Sequence, residues 1–563
     1  MPNRTSPSAK ARRRWRRMRW IAPCAAAVLA ALAALNAYSQ AYDRLPAADE
    51  CNFLHEACWI AEHGGAAGFL GACFKGEYPF DNRNPALPLL GSTFAARDLA
   101  SVRPFRLLQA ALFWLALLAV YALAARASGR RTGLGLALLL GASHGWLHPG
   151  ALIAAEPLVY APLFAAWLLL SGTLRPRGRW AWAGAAAGLA WLLKATVSVL
   201  ALAFAFALLR ELLVRLWKKE PLREDLRAAP KALGLFAAGF VLAGLPLLWN
   251  NAARHGNPLH NRNARFAWLA DYDERLLEGR GGAAEFLEAH GAEFALKRFA
   301  GGLPVAAEEL VAAFRWPAWR YSVLLVPLLL LAALLGLLAD PDRDRRAFAL
   351  AFVLLTLALF AWWARFTSVL RFVAMLSPLL GWYALRGLGH FLRATRAREL
   401  RARRERLRCG ALGALALLAA LALGLTLRVE GLGSPRAPLE PPPRFAYLHA
   451  WLLEHTVKRG APTLVTSYFR PRNDVFWLLP PPYPAWLVPP FEDWPAFEAF
   501  AAERGARYLI VEPQTWQRRE ALLKPYVRDL GAGRLDFDLP GWKRVDADPE
   551  PPAPEFIVYE RLP

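Results

Sequence analysis

Apolar residues along this chain come in runs of about 17–20, broken by short clusters of arginine and turn residues, a length that crosses a ~30 Å hydrocarbon core as helix. The first run extends from Trp20 to about Tyr38 behind the basic arm Arg12–Arg19. Its length favours a retained signal anchor over a cleaved signal. Further runs are predicted near Phe105–Ala125, Leu134–Leu147, Leu152 onward, Trp180–Leu193, Val197–Leu209, Ala232–Leu248, Tyr321–Leu338, Ala347–Trp363, Phe372–Ala384 and Gly410–Leu427. The pattern predicts a polytopic α-helical membrane protein of about 11 spans. Two longer polar stretches, 39–104 and 249–320, form outer loops. In the first, Phe53, Leu54, Ala57, Cys58, Ile60 and Ala61 recur at helical spacing, which predicts an amphipathic helix on the membrane surface.

Beyond about residue 430 the pattern changes. A proline-stiffened linker (431–444) leads to a segment, 445–563, in which 448–457 reads as helix. Within that segment 463–466, 508–511 and 556–559 read as short buried strands. A small α/β domain is expected there. It offers Glu512, Asp474 and the tryptophans 477, 486, 494 and 516, read as exposed aromatics, but no triad or phosphate loop.

Charge orients the layout. The net charge of +23 might point to nucleic acid. The arginines instead cluster at 12–19, 126–131, 175–179 and 386–408, on alternate loops, as the positive-inside rule requires. The arm 1–19 and these loops are therefore assigned to the cytoplasm, and the 445–563 domain to the extracytoplasmic side of an inner membrane. No nucleic-acid partner is expected. Cys51, Cys58 and Cys73 share the first outer loop, where a disulfide between two of them is an open alternative.

With that orientation the polar residues at span ends gather on one side. Asp49-Glu50 follows the first span, and Ala155-Glu156-Pro157-Leu158 opens the fourth. The segment 188–196 ends at Lys194-Ala195-Thr196. Leu245-Pro246-Leu247-Leu248-Trp249-Asn250-Asn251 is followed by His255-Gly256-Asn257-Pro258, and Arg371-Phe372 precedes Ser377-Pro378-Leu379. In order and sidedness this set resembles the GT-C superfamily of polyprenyl-phosphate-sugar-dependent membrane glycosyltransferases. Within it, the protein O-mannosyltransferase and lipid A aminoarabinose transferase group is nearest. The departures are Phe53 and Phe372, where many relatives carry tyrosine, and Ala195, where many carry proline.

The resemblance implies transfer of a sugar from a lipid-phosphate donor to an acceptor hydroxyl on a lipid, glycan or protein, with no cofactor. The chemistry is consistent. A hydroxyl needs a base as it attacks, and negative charge grows on the departing phosphate. Asp49, Glu50 and Glu156 are the candidate acids and bases. Lys194 and Arg371 are the candidate phosphate ligands, with Arg365 as a neighbouring alternative. Trp249, Asn250, Asn251 and His255 are candidate cleft residues. His144, His148 and His255 match no compact metal-ligand spacing, so no tightly held metal is expected. Each feature has a plainer reading: a capped helix start for Asp49-Glu50, an interface anchor for Lys194, a belt aromatic for Trp249. Two other classes fit the same spans, a transporter or flippase of a lipid-linked substrate and a non-catalytic scaffold. Ionisable groups at span ends rather than at mid-membrane favour the transferase.

Overall fold

A computed structural model of the chain describes residues 9–41, 44–46, 49–81, 84–219, 229–271, 274, 282–316, 322–394, 443–466, 476–479, 485–530, 535–547 and 556–563. The expected eleventh span, most of the linker and Asp474 lie outside them. Five helical stretches among the described residues are long and apolar enough to cross a membrane: Ala22–Ala41, Leu99–Ser128, Ala195–Lys218, Pro230–His255 and Arg343–Trp363. Glu156–Leu170 and Leu325–Leu338 are shorter apolar helices. The expected third span divides into Arg130–Gly141 and His144–Gly150.

Glycine lets two helices approach closely. The Arg179–Leu193 helix packs along Ala229–His255, and a Cβ at Gly184 would land on the Phe236 carbonyl oxygen. One at Gly239 would strike the Ala181 carbonyl oxygen. Small residues at such contacts let helix backbones pack where lipid supplies no hydrophobic drive. Gly184→Ala is expected to destabilise the protein by about 1–3 kcal/mol, since backbone rather than a flexible side chain opposes the methyl group. Gly234→Ala meets nothing within 4 Å and should be neutral or slightly stabilising. Thermal unfolding in detergent compares the two.

At the other end of the bundle, Asp340 is buried between helices. It pairs with Arg345 and with Arg386 at 3.4 Å, and accepts from the Tyr383 hydroxyl at 3.2 Å. This network ties Ser322–Leu338, Arg343–Trp363 and Ser377–Ala394 together across their turns.

The stretch after the first span folds into Asp49–Glu62, Gly65–Lys75 and Ala86–Gly91. The apolar stripe of the first of these is not spread on a membrane surface. Phe53, Leu54, Ala57, Cys58 and Ile60 are buried in the main hydrophobic core. Cys51, Cys58 and Cys73 are free thiols, and burial pushes the Cys58 and Cys73 thiols up to about 12. They therefore stay protonated and unreactive at neutral pH. The stretch after the Ala229–His255 helix carries Arg262–Phe266 and a long helix, Ala283–Ala313, kinked at Gly291 (φ +74°).

The C-terminal segment forms a five-stranded mixed sheet of order β2-β1-β3-β7-β6. Its strands are β1 Thr463–Val465, β2 Ala485–Leu487, β3 Tyr508–Val511, β6 Trp542–Ala547 and β7 Ile557–Arg561. β1 pairs parallel with β2 and β3, while β7 runs antiparallel to β3 and β6. A separate hairpin joins β4 Val527–Asp529 to β5 Leu535–Phe537. The three buried runs in the sequence are β1, β3 and β7, the centre of the sheet. Strands β4, β5 and β6 carry mixed polarity, and β2 is a three-residue apolar stretch set among prolines.

The tryptophans of this segment are not free surface. Trp477 is buried in the main helical core rather than in the sheet's own core. Its carbonyl accepts from Arg97 Nη1 at 2.9 Å, and Arg97 also pairs with Glu62 at 2.5 Å. Trp486, Trp494 and Trp516 are half-buried against the sheet core, and Glu512 is buried. A bulky aromatic beside apolar neighbours gains more from packing than from exposure.

Candidate active site

Asp49 heads the Asp49–Glu62 helix, Glu156 opens Glu156–Leu170, Lys194 ends Arg179–Leu193, and Arg371 lies in the short turn Leu370–Val373. The structure brings all four together. Arg371 Nη2 lies 2.5 Å from Asp49 Oδ2, and Arg371 Nε lies 3.4 Å from Glu156 Oε1. The Lys194 ammonium donates to that same Glu156 oxygen. Glu156 is 3% exposed as a side chain, Asp49 37%, Arg371 26% and Lys194 20%. The site therefore has one buried carboxylate beneath two cations and one accessible carboxylate at its mouth.

Phe372 forms the floor under the cations. The Lys194 ammonium stands 4.0 Å from its ring centroid and the Arg371 guanidinium 5.0 Å, while the ring stacks on Phe360 at 5.0 Å. An aromatic face attracts cations without neutralising them. The Tyr160 hydroxyl donates to the Arg371 carbonyl at 2.6 Å and fixes the turn. His148 adds an imidazole close enough to Arg44 and Arg371 to feel their charge.

Glu50 turns away from this cluster and is 2% exposed. Its Oε2 accepts from Arg44 at 2.7 Å, and its Oε1 accepts from Arg106 at 3.2 Å and from the Ile153 backbone N–H at 3.1 Å. Both of its carboxylate oxygens are thus engaged by Arg44, Arg106 and the Ile153 backbone. Glu50 clamps the start of the helix that carries Asp49 to the segment preceding Glu156. Arg106, itself 2% exposed, also donates to the Ala41 and Arg44 carbonyls. Its signal was present in the sequence, since an arginine at the start of an apolar run requires a partner. Glu50→Gln leaves Arg106 buried without its counter-charge, and a loss of about 3–5 kcal/mol is expected. Urea or thermal unfolding in detergent measures it, and unchanged stability would remove Glu50 from this role.

The expected cleft residues brace the loops instead. Asn250 is 1% exposed and pairs with the backbone of Tyr78, accepting from its N–H and donating to its carbonyl, both at 3.2 Å. Asn251 donates to the carbonyls of Pro258 and His260 at 3.3 and 3.0 Å. Trp249 donates to the Phe74 carbonyl at 2.9 Å. Buried amides satisfy loop backbone that would otherwise be orphaned, which explains their place at a helix end. His255 stacks on His260 at 3.8 Å rather than joining the His144–His148 pair, whose centroids lie 5.2 Å apart. Arg365 is exposed, 5.2 Å from the Phe294 ring, and takes no part in the acidic cluster.

Residues 94–224 match a family model described as dolichyl-phosphate-mannose-protein mannosyltransferase. This segment includes Glu156 and Lys194. No curated protein matches the chain. Two solved structures share its fold over nearly its full length. ArnT from Cupriavidus metallidurans, bound to undecaprenyl phosphate, is 14% identical with a TM-score of 0.53, covering 94% of this chain and 97% of that one. The archaeal oligosaccharyltransferase AglB from Archaeoglobus fulgidus, in complex with an inhibitory peptide and a dolichol-phosphate, is 13% identical. Its TM-score is 0.51, with 92% of this chain and 75% of that one covered. The chain therefore shares the fold of these two proteins, and with its long apolar helices it is an integral membrane protein.

Proposed function

We propose that the chain is a membrane glycosyltransferase that moves a sugar from a polyprenyl-phosphate donor to an acceptor hydroxyl. One observation carries this reading: Asp49, Glu156, Lys194 and Arg371, from four separate segments, share one ion-paired cluster. Similarity to two structures that hold polyprenyl phosphates supports the donor class.

In the reaction, Arg371 and Lys194 receive the donor phosphate, arginine through its planar fork and lysine as a point charge. Arg371 then exchanges Asp49 for the phosphate, which frees the Asp49 carboxylate. Asp49 takes the acceptor hydroxyl proton as the oxygen attacks the anomeric carbon. The bond between that carbon and the phosphate oxygen breaks, and polyprenyl phosphate leaves with the electron pair, its growing charge met by the two cations. Attack from the face opposite the phosphate inverts the anomeric centre. Glu156 keeps Lys194 and Arg371 at a fixed spacing, because a buried carboxylate between two cations holds both.

The same reading puts the site on the extracytoplasmic face, with about 11 spans, a cytoplasmic N-terminus and the C-terminal sheet outside an inner membrane, as the arginine distribution favours. Incubating the purified chain with a panel of polyprenyl-phosphate sugars and mixed lipid, glycan and peptide acceptors tests it. Consumption of one donor with release of polyprenyl phosphate is expected. Movement of a lipid-linked sugar across vesicles without any bond cleavage would favour a flippase instead.

A further inference from the structure

One short turn of the C-terminal segment, Phe476–Leu478, enters the helical bundle. Successive side chains there belong to different cores. Trp477 is buried in the main helical core, and Leu478 packs against that core. Leu479, fully buried, belongs instead with Leu448, Val465, Tyr508 and Val558, the core between the sheet and the Pro443–Leu452 helix. The turn packs against Asp49–Glu62, the helix whose first residue is Asp49. We propose that Trp477 and Arg97 are positioning residues through which the C-terminal domain holds the Asp49 helix in place. The domain thereby acts on the active site, a role that rests on the reading of Asp49 as the base.

The helix has 14 residues and is about 20 Å long. It is fastened at both ends. Glu50 ties its start to Arg44, Arg106 and the Ile153 backbone. Arg97 ties its far end: Nε and Nη2 donate to the two carboxylate oxygens of Glu62 at 2.5 and 2.9 Å. Such a fork fixes direction as well as distance. Arg97 Nη1 lies 3.4 Å from His55 Nδ1 and donates to the Trp477 carbonyl at 2.9 Å. His55 and Glu62 are two helical turns apart, so one guanidinium spans a face of the helix and also grips the turn. The Arg97 side chain is only 10% exposed, which shields these bonds from competing water.

Trp477 contributes volume rather than a polar contact. Its indole Nε1 is buried and makes no hydrogen bond. A tryptophan kept for its N–H would have a partner there. Phenylalanine should therefore serve in its place, whereas alanine leaves a cavity beside the helix. Local sequence could not reveal this link, because Arg97 and Trp477 are 380 positions apart.

Amide hydrogen exchange on the full chain in detergent reads the helix directly. In Trp477→Ala, exchange over Asp49–Glu62 is expected to rise at least about tenfold while that of Ser322–Leu338 stays unchanged. Trp477→Phe should match the wild type. Single-turnover transfer should fall by about 10²-fold in Trp477→Ala, the effect of misplacing a reacting group by roughly 1 Å. Donor affinity should hold, because Lys194 and Arg371 stand on other segments. Arg97→Gln leaves Trp477 in place and should show the same pattern at smaller amplitude, which covers the case in which Trp477→Ala does not fold. Wild-type exchange over Asp49–Glu62, or a wild-type transfer rate, in these two variants would overturn the proposal. A wild type that consumes no donor would instead overturn the transferase reading, and the exchange result would still decide whether the domain holds the helix.

Discussion

Asp49→Asn is expected to lower the transfer rate by about 10²–10⁴-fold, the contribution of a positioned general base. Stability should change little, because Asp49 is among the more exposed members of the cluster and Arg371 retains Glu156 as a partner. Donor affinity should hold or improve slightly, since the phosphate no longer competes with Asp49 for Arg371. The measurement is single-turnover transfer beside equilibrium binding of the polyprenyl-phosphate donor. A variant that turns over at the wild-type rate removes Asp49 as the base and directs attention to His148, the imidazole near Arg371.

The second large effect concerns Lys194, which has two separable jobs. It compensates the buried Glu156, and in the proposed reaction it receives the donor phosphate. Lys194→Ala should therefore lose both stability and activity. The stability loss should fall below the roughly 3–5 kcal/mol typical of a broken buried pair, because Arg371 still lies 3.4 Å from Glu156. Adding Glu156→Gln removes the stranded charge and should recover most of the stability. Activity should stay down by about 10²–10³-fold, since no group replaces the lost positive charge on the leaving phosphate. Recovery of activity together with stability in the double variant would reduce Lys194 to a counter-ion for Glu156.

The cluster also explains how such a site avoids self-neutralisation. All four of its members are ion-paired to one another, and the pairing is lopsided: Glu156 is deeply buried, whereas Asp49 is partly open to solvent. In the proposed reaction an entering phosphate competes most easily for the exposed pair, and that exchange would release Asp49 as the base. Phe372 holds both cations by its face and competes with neither anion. Having no hydroxyl, the ring offers no further donor to the phosphate of the proposed reaction.

Much of the architecture was readable from local pattern. Five of the apolar runs coincide with helices long and apolar enough to cross a membrane among the described residues, and the three buried runs at 463, 508 and 556 mark the central strands, because burial of a local segment is recorded in its own composition. The arrangement of Asp49, Glu156, Lys194 and Arg371 was legible only as a set of polar residues at span ends. Tertiary structure decided which of them meet. It turned Glu50 inward onto Arg106, committed Asn250 and Asn251 to loop backbone, and buried Trp477 in the helical core. The physical reason is that periodicity reports whether a residue is hidden, while the identity of its partner depends on how distant helices and loops cross. A charged side chain one position from another on the same helix points about 100° away from it, so adjacent carboxylates such as Asp49 and Glu50 face different partners.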